Sequence, residues 1–237
     1  AHDRLRYILK KTSPAMIYVG DAGQYSAAIN LTDAANIPVI ASIVKGANRQ
    51  VLDFKTLLAA TPDAAVETAN NAVTPDTLAK ILFTSGSTSN PKGVETTQAM
   101  MCVNQAQIAS ILPFLMDRPP KILDWLPWNH VFGGSHNFNL ILANGGSLYI
   151  DAGKPVKGLF DTTLSNLGEH TGTLAFNVPV GWSLLNEALK NDAQLRTRFF
   201  DGLDLMFYAG ASLPANIWDD LKALALMDRA DLPLMVS

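Results

Sequence analysis

Between Phe83 and Val94 the chain reads FTSGSTSNPKGV, with three serines, two threonines, two glycines and one lysine in twelve positions. Thr84, Ser85, Ser87, Thr88 and Ser89 offer neutral hydroxyl donors. Gly86 and Gly93 let backbone N–H groups approach a ligand with no Cβ in the way. Pro91 stiffens the return, and Lys92 adds a point charge suited to phosphate oxygens. The combination fits a triphosphate better than bulk solvent, although a turn this rich in small polar residues can also be a plain surface loop. It is not a Walker A loop, which needs G-x-x-x-x-G-K-[ST]. Counted from Gly86, position 91 is proline and Lys92 is followed by glycine. A nucleophile elbow, G-x-S-x-G, is absent from this stretch too.

The other groups able to do acid–base or ligand chemistry are few. His130 and His136 lie six residues apart without a cysteine or acidic pair beside them, which argues against a metal site. Taken singly, His130 reads as a satisfied core histidine and His136 as a partly exposed helix residue. His2 and His170 read as surface residues. Cys102 is the single cysteine, which excludes an internal disulfide and suits a reducing cytoplasm. With 18 basic against 21 acidic residues and no basic run, nucleic acid is not an expected partner. No apolar run approaches the roughly 18 residues of a membrane helix, and AHDRLRYILKK lacks the layout of a signal peptide. A soluble, cytoplasmic protein is expected, of undetermined oligomeric state.

Short apolar runs alternate with helix-period stretches. Strands are expected over 15–19, 38–44, 79–84, 121–126, 146–150, 173–178 and 203–208. Most are continuously apolar, as in strands covered on both faces. Helices are expected near 3–11, 22–34, 97–112, 134–143, 157–169, 179–190 and 214–227, with Pro214 in the first turn of the last. Met100, Met101, Val103, Ile108 and Ile111 read as a buried helix face, and Trp125, Trp128, Trp182 and Trp218 as core aromatics. The alternation predicts an α/β fold of largely parallel sheets flanked by helices. Residues 61–75, TPDAAVETANNAVTP, read as an internal linker. The chain opens on a helix and closes on the strand-like DLPLMVS, so a fragment is expected.

TSGSTSNPKGV resembles the phosphate-binding signature [ST]-S-G-[ST]-T-G-x-P-K-G-V of the adenylate-forming superfamily, which includes acyl-CoA synthetases. Ser89 stands at the usual glycine, and Gln98 where many members carry histidine. LPWNHVFG, Leu126 to Gly133, is similar to a second signature, L-P-x-x-H followed by an aromatic and a glycine. FYAGASLP, Phe207 to Pro214, resembles the G-G-A-P-L segment, with Ser212 for proline. Order and spacing agree over nearly the whole chain. DWLPWNH, GGSLYID, FNVPVGW and FYAGASLP together look most like feruloyl-CoA synthase and aryl-CoA ligases.

The resemblance implies MgATP-dependent activation of an aromatic or other small carboxylic acid, then transfer to coenzyme A. The acid's own carboxylate is the nucleophile, so the protein aligns the reactants and neutralises charge. Thr84, Ser85, Gly86, Ser87, Thr88, Ser89, Lys92 and Gly93 would hold phosphates on a loop that closes and opens. Ala209, Gly210 and Ala211 would lie against adenine and the acyl tail, unless their small size only serves strand–helix packing. His130 would act near the acyl carboxylate and α-phosphate, with Phe132, His136 and Gly210 along the acyl pocket. Lys92 and His130 are the expected catalytic pair. Downstream signatures (the Mg²⁺-holding glutamate, the ribose-binding aspartate, the hinge and a C-terminal domain with its lysine) do not occur in these 237 residues. Residues 1–237 are therefore expected to be an incomplete N-terminal adenylation domain, without turnover by itself. Two other classes remain: a non-catalytic nucleotide-binding or interaction module derived from such a synthetase, and a different nucleotide-using enzyme.

Overall fold

A computed structural model describes residues 2–31, 34–84 and 90–237. They form two compact units, Ala1–Glu95 and Thr96–Ser237. In the first unit, α1 (His2–Thr12) carries acid in its first turn and lysines in its last, matching the helix dipole. β1 (Ile17–Asp21) leads through α2 (Ser26–Ile29) to β2 (Val39–Ile43) and β3 (Leu52–Asp53). β1 pairs with β2 and β2 with β3, all parallel. Among the described residues of the helix expected over 22–34, one α-helical turn forms, because Asp21 accepts from the N–H groups of Gly23 and Gln24 and holds a turn there instead. Arg49 closes this unit by donating to the carbonyls of Ile29, Ala34, Ala35 and Ile37.

Asp53 caps α3 (Phe54–Leu58) and Asp63 caps α4 (Ala64–Asn71), each through its side-chain oxygen. The expected linker 61–75 therefore contains a capped helix, although none of its residues is buried, and the two units divide at Glu95/Thr96 rather than within it. β4 (Leu78–Thr84) pairs with β5 (Lys92–Thr97), a strand with no expectation behind it because KGVETT has no apolar run.

The second unit holds the main core. Thr97 caps α5 (Gln98–Ile111), and the chain continues through a short 3₁₀ turn, Pro113–Met116, to β6 (Lys121–Asp124). A π-helical turn, Val131–Asn137, runs directly into α6 (Phe138–Ala143). β7 (Ser147–Ile150), α7 (Phe160–Glu169), β8 (Leu174–Asn177), α8 (Pro179–Asn191) and α9 (Ala193–Phe200) follow. The chain ends with β9 (Leu205–Tyr208), α10 (Ala215–Asp228) and β10 (Leu234–Val236). Pro214 is the N-cap of α10 and not its first helical residue; Pro179 takes that role in α8.

In the second unit β6 and β7 pair in parallel, and β8, β9 and β10 form a second parallel sheet with β9 in the middle. The Thr173 N–H donates to the Lys121 carbonyl at 2.8 Å and ties the two sheets edge to edge. Successive strand residues feed opposite layers. Ile122, Leu174, Phe176 and Leu205 enter a cluster with Leu115, Leu126 and Leu140. Leu123, Ala175 and Met206 face the other cluster, with Trp182, Leu189, Phe199 and Leu221 of the covering helices. Layers on both faces explain why these strands read as unbroken apolar runs. A fully buried Leu or Phe here contributes about 1.5–3 kcal/mol by transfer from water.

Two core expectations fail. Met100, Val103 and Ile111 are exposed, and the buried residue of α5 is Gln105, because the described residues cover only one side of that helix. Trp182 is core at 1% exposure, whereas Trp128 is 49% exposed and lies tilted over Phe138. Among the described residues no helix is long and apolar enough to cross a membrane.

Candidate functional site

The C-terminal edge of the parallel strands in the second unit carries polar residues directly after apolar runs: Asp124 on β6, Asp151 after β7, Asn177 on β8 and Tyr208 on β9. In open α/β sheets this edge is where ligands bind. Asp151 is spent internally, accepting from Gly153 N–H, the Thr163 hydroxyl and the Asn166 amide. Asp124 accepts from Leu126 N–H at 2.9 Å and from the Asn137 amide at 2.9 Å. Burial pushes the Asp124 carboxyl above its ordinary range, with Asp151 adding repulsion, while these two hydrogen bonds oppose the rise.

The π-helical turn is wedged against the segment before it. A Cβ on Gly134 would lie 2.0 Å from the Trp128 carbonyl oxygen, and one on Gly133 would lie 2.6 Å from that of Pro127. Two consecutive glycines are what permit this approach. A π turn takes an extra residue, and such turns often sit at functional sites. His136 and Asn137 are its last two residues.

His130 caps this turn: its Nδ1 accepts from Phe132 N–H at 3.3 Å, and the ring is exposed. His130 is thus a surface cap and not the core histidine that its residue type alone suggests, and in the neutral ring its proton must sit on Nε2. His136 is the reverse. Its Nδ1 lies 2.9 Å from Asn137 Oδ1, and because the Asn137 amide donates to Asp124, that Oδ1 can only accept. His136 therefore donates through Nδ1, and its Nε2 is left as an acceptor. Burial pulls the His136 ring below its ordinary pKa, offset in part by the bond to Asn137.

Three phenylalanines surround His136. Its ring stacks on Phe207 at 5.3 Å and 26°, and meets Phe176 at 5.1 Å and Phe132 at 5.9 Å edge to face. Phe132 in turn contacts Phe176 and Phe207. The second and third sequence motifs thus meet through one ring stack, with Phe176 of β8 completing the group. Phe176, Asn137 and Asp124 are not among the residues expected from sequence. An acid ending a buried apolar strand was the available signal for Asp124; nothing local marked the other two.

Two residues after Phe207, Ala209 is half-buried while Gly210 and Ala211 are exposed at the end of β9. Gly210 has φ +93° with nothing within 4 Å of a Cβ there. Left-handed backbone, not tight strand–helix packing, calls for glycine at this position.

In the first unit, Thr84 ends β4 and Lys92 begins β5, both exposed, and the Thr84 hydroxyl reaches the Lys92 carbonyl at 3.4 Å. Among the described residues Lys92 has no ion-pair partner. Gly93 presses on Ile81 and Phe83, so its lack of a side chain already serves cross-strand packing. Ser85, Gly86, Ser87, Thr88 and Ser89 lie outside the described residues. Thr84 and Lys92 fit a phosphate. Mg²⁺ finds no matching set: among the described residues no three His, Cys, Asp or Glu side chains converge, and Asp124 and Asp151 are committed to internal bonds.

The fold is shared with several solved proteins. A malonyl-CoA ligase solved with methylmalonyl-CoA and AMP bound superposes with TM-score 0.68 at 17% identity, covering 99% of this chain and 44% of that one. ATP-bound MatB from Rhodopseudomonas palustris gives 0.66 at 21%, covering 92% and 40%. The luciferase-like enzyme of the nonluminescent Zophobas morio mealworm gives 0.68 at 15%, covering 95% and 49%. The chain thus spans less than half the length of each. No curated protein matches it. Residues 1–229 match the family described as AMP-binding enzyme, and the chain belongs to that family.

Proposed function

We propose that the whole protein is a cytoplasmic, ATP-dependent acid–CoA ligase acting on an aromatic acid, in the manner of feruloyl-CoA synthase. The supporting observation is the ring group of Phe132, His136, Phe176 and Phe207 at the carboxyl ends of the strands, a cluster of aromatic edges and faces suited to contact with an aryl tail. Lys92, with Thr84 and the hydroxyl loop after it, neutralises the β- and γ-phosphates. The acid's carboxylate oxygen bonds to the α-phosphorus as the bond to the pyrophosphate oxygen breaks. His130, protonated on Nε2, donates to an oxygen that gains charge in that step. The Ala209–Gly210–Ala211 backbone lies against the adenine and the acyl chain. The coenzyme A thiol then attacks the acyl carbon, and AMP leaves. Residues 1–237 by themselves are expected to bind ATP weakly at most and not to turn over.

The test is pyrophosphate release by the full-length protein with ATP, CoA and a panel of aromatic and short aliphatic acids. Aromatic acids should support release and thioester formation, and Lys92→Ala should lower kcat/KM by about 100-fold, the scale for losing one charge-stabilising group. Release driven only by aliphatic acids, or an undiminished K92A, would refute the reading.

A further inference from the structure

The two histidines on either side of Phe132 carry opposite hydrogen-bonding roles. His130 accepts at Nδ1 from a backbone N–H, so its free nitrogen donates. His136 donates from Nδ1 to Asn137, so its free nitrogen accepts. Asn137 is wholly buried and Asp124 is 5% exposed, so neither amide nor carboxylate has solvent to turn towards. The orientation is fixed at both ends, because Asp124 is itself held by Leu126 N–H. A chain of two hydrogen bonds behind a single ring sets which tautomer that ring adopts. His136 Nε2 has no hydrogen-bond partner among the described residues, although the ring is half-buried among three phenylalanines.

A purely apolar surface would be better made by a fourth phenylalanine, since an acceptor on a half-buried ring among phenylalanines gives up part of its hydration without a protein partner in return. We propose that Asp124 and Asn137 are positioning residues that hold His136 Nε2 as an acceptor for a hydroxyl on the ring of the substrate, making His136 a determinant of specificity for hydroxylated aryl acids. This rests on the acid–CoA ligase reading. The low affinity of the buried ring for a second proton agrees with it, because a protonated His136 could not accept. An acid lacking the hydroxyl would leave this acceptor unpaired, which is how sites of this kind reject close analogues.

The experiment compares 4-hydroxycinnamate with 4-methylcinnamate in pyrophosphate release by the full-length protein. The ratio of kcat/KM should favour the hydroxylated acid by about 10-fold or more. His136→Phe should bring the ratio towards one, and His136→Gln, which keeps an acceptor, should restore part of it. Asn137→Ser, which loosens the ring without touching substrate, should also lower the ratio. A wild-type ratio near one, or an unchanged ratio in H136F, overturns the inference while leaving ligase activity on aryl acids standing. If no acid supports release, the ligase reading itself fails, and the specificity argument fails with it. Should H136F or N137S not fold, the ¹⁵N spectrum of His136 in the wild type decides: a proton on Nδ1 supports the assignment and one on Nε2 overturns it.

Discussion

Gly134 offers the sharpest test of how the site is built. An alanine Cβ there would sit 2.0 Å from the Trp128 carbonyl oxygen, 2.9 Å from its carbon and 3.3 Å from its Cα. The obstacle is backbone, so no rotamer change relieves it, and the turn must move by about 1 Å to reach ordinary contact. Overpacking of this kind costs about 1–3 kcal/mol, and a backbone obstacle belongs at the upper end. Alanine recovers about 0.4–1 kcal/mol through the unfolded chain. The net expectation for Gly134→Ala is a loss of about 2 kcal/mol, or about 4–8 °C in Tm for a domain of this size. Gly168, in α7, is the internal control, because a Cβ added there would meet nothing within 4 Å. Gly168→Ala should be neutral or gain up to about 1 kcal/mol through helix propensity. Thermal unfolding of both variants, followed by near-UV circular dichroism, separates them. If G134A melted at or above the wild type, or no lower than G168A, the wedged π turn would not be what fixes His136 and Asn137.

Two further outcomes follow from the same contacts. Arg49 serves four carbonyls with distances of 2.7–3.0 Å, so Arg49→Met should destabilise the first unit by about 1–3 kcal/mol, and Arg49→Lys should recover only part; amide hydrogen exchange across β1 and β2 reads this, and unaltered protection in R49M would refute it. The folded-state pKa of His136 lies below its unfolded value near 6.5, so the unfolded chain binds the proton first as pH falls. As pH falls from about 7.5, the wild type should therefore lose stability relative to His136→Phe, whereas the gap should be flat at higher pH; denaturant midpoints that stay parallel as the pH is lowered would contradict this.

Much of the architecture is legible in the sequence because it follows from local rules. Short, mostly apolar runs such as KILDWL and TLAFNV read as strands with layers on both sides, and Thr97 and Pro179 announce the helices they begin. The errors lie where local signals compete or where burial depends on distant residues. The 22–34 stretch has helical periodicity, but Asp21 captures its first N–H groups. KGVETT forms a strand by pairing with β4, without any apolar pattern of its own. Met100 and Ile111 have the spacing of a buried face, but spacing does not supply the layer that would cover them.

The three motifs and their order come from sequence alone, and with them the AMP-binding family, since a hydroxyl-rich loop, a histidine turn and a small-residue segment are each contiguous. Tertiary structure decided which histidine donates and which accepts. It also brought Phe176 and Phe207 against His136 from two different strands, β8 and β9. The physical reason is that a ring's tautomer and its walls are set by hydrogen-bond and packing partners. For His136 those partners reach back through Asn137 to an aspartate on β6, adjacent only once the sheet has formed.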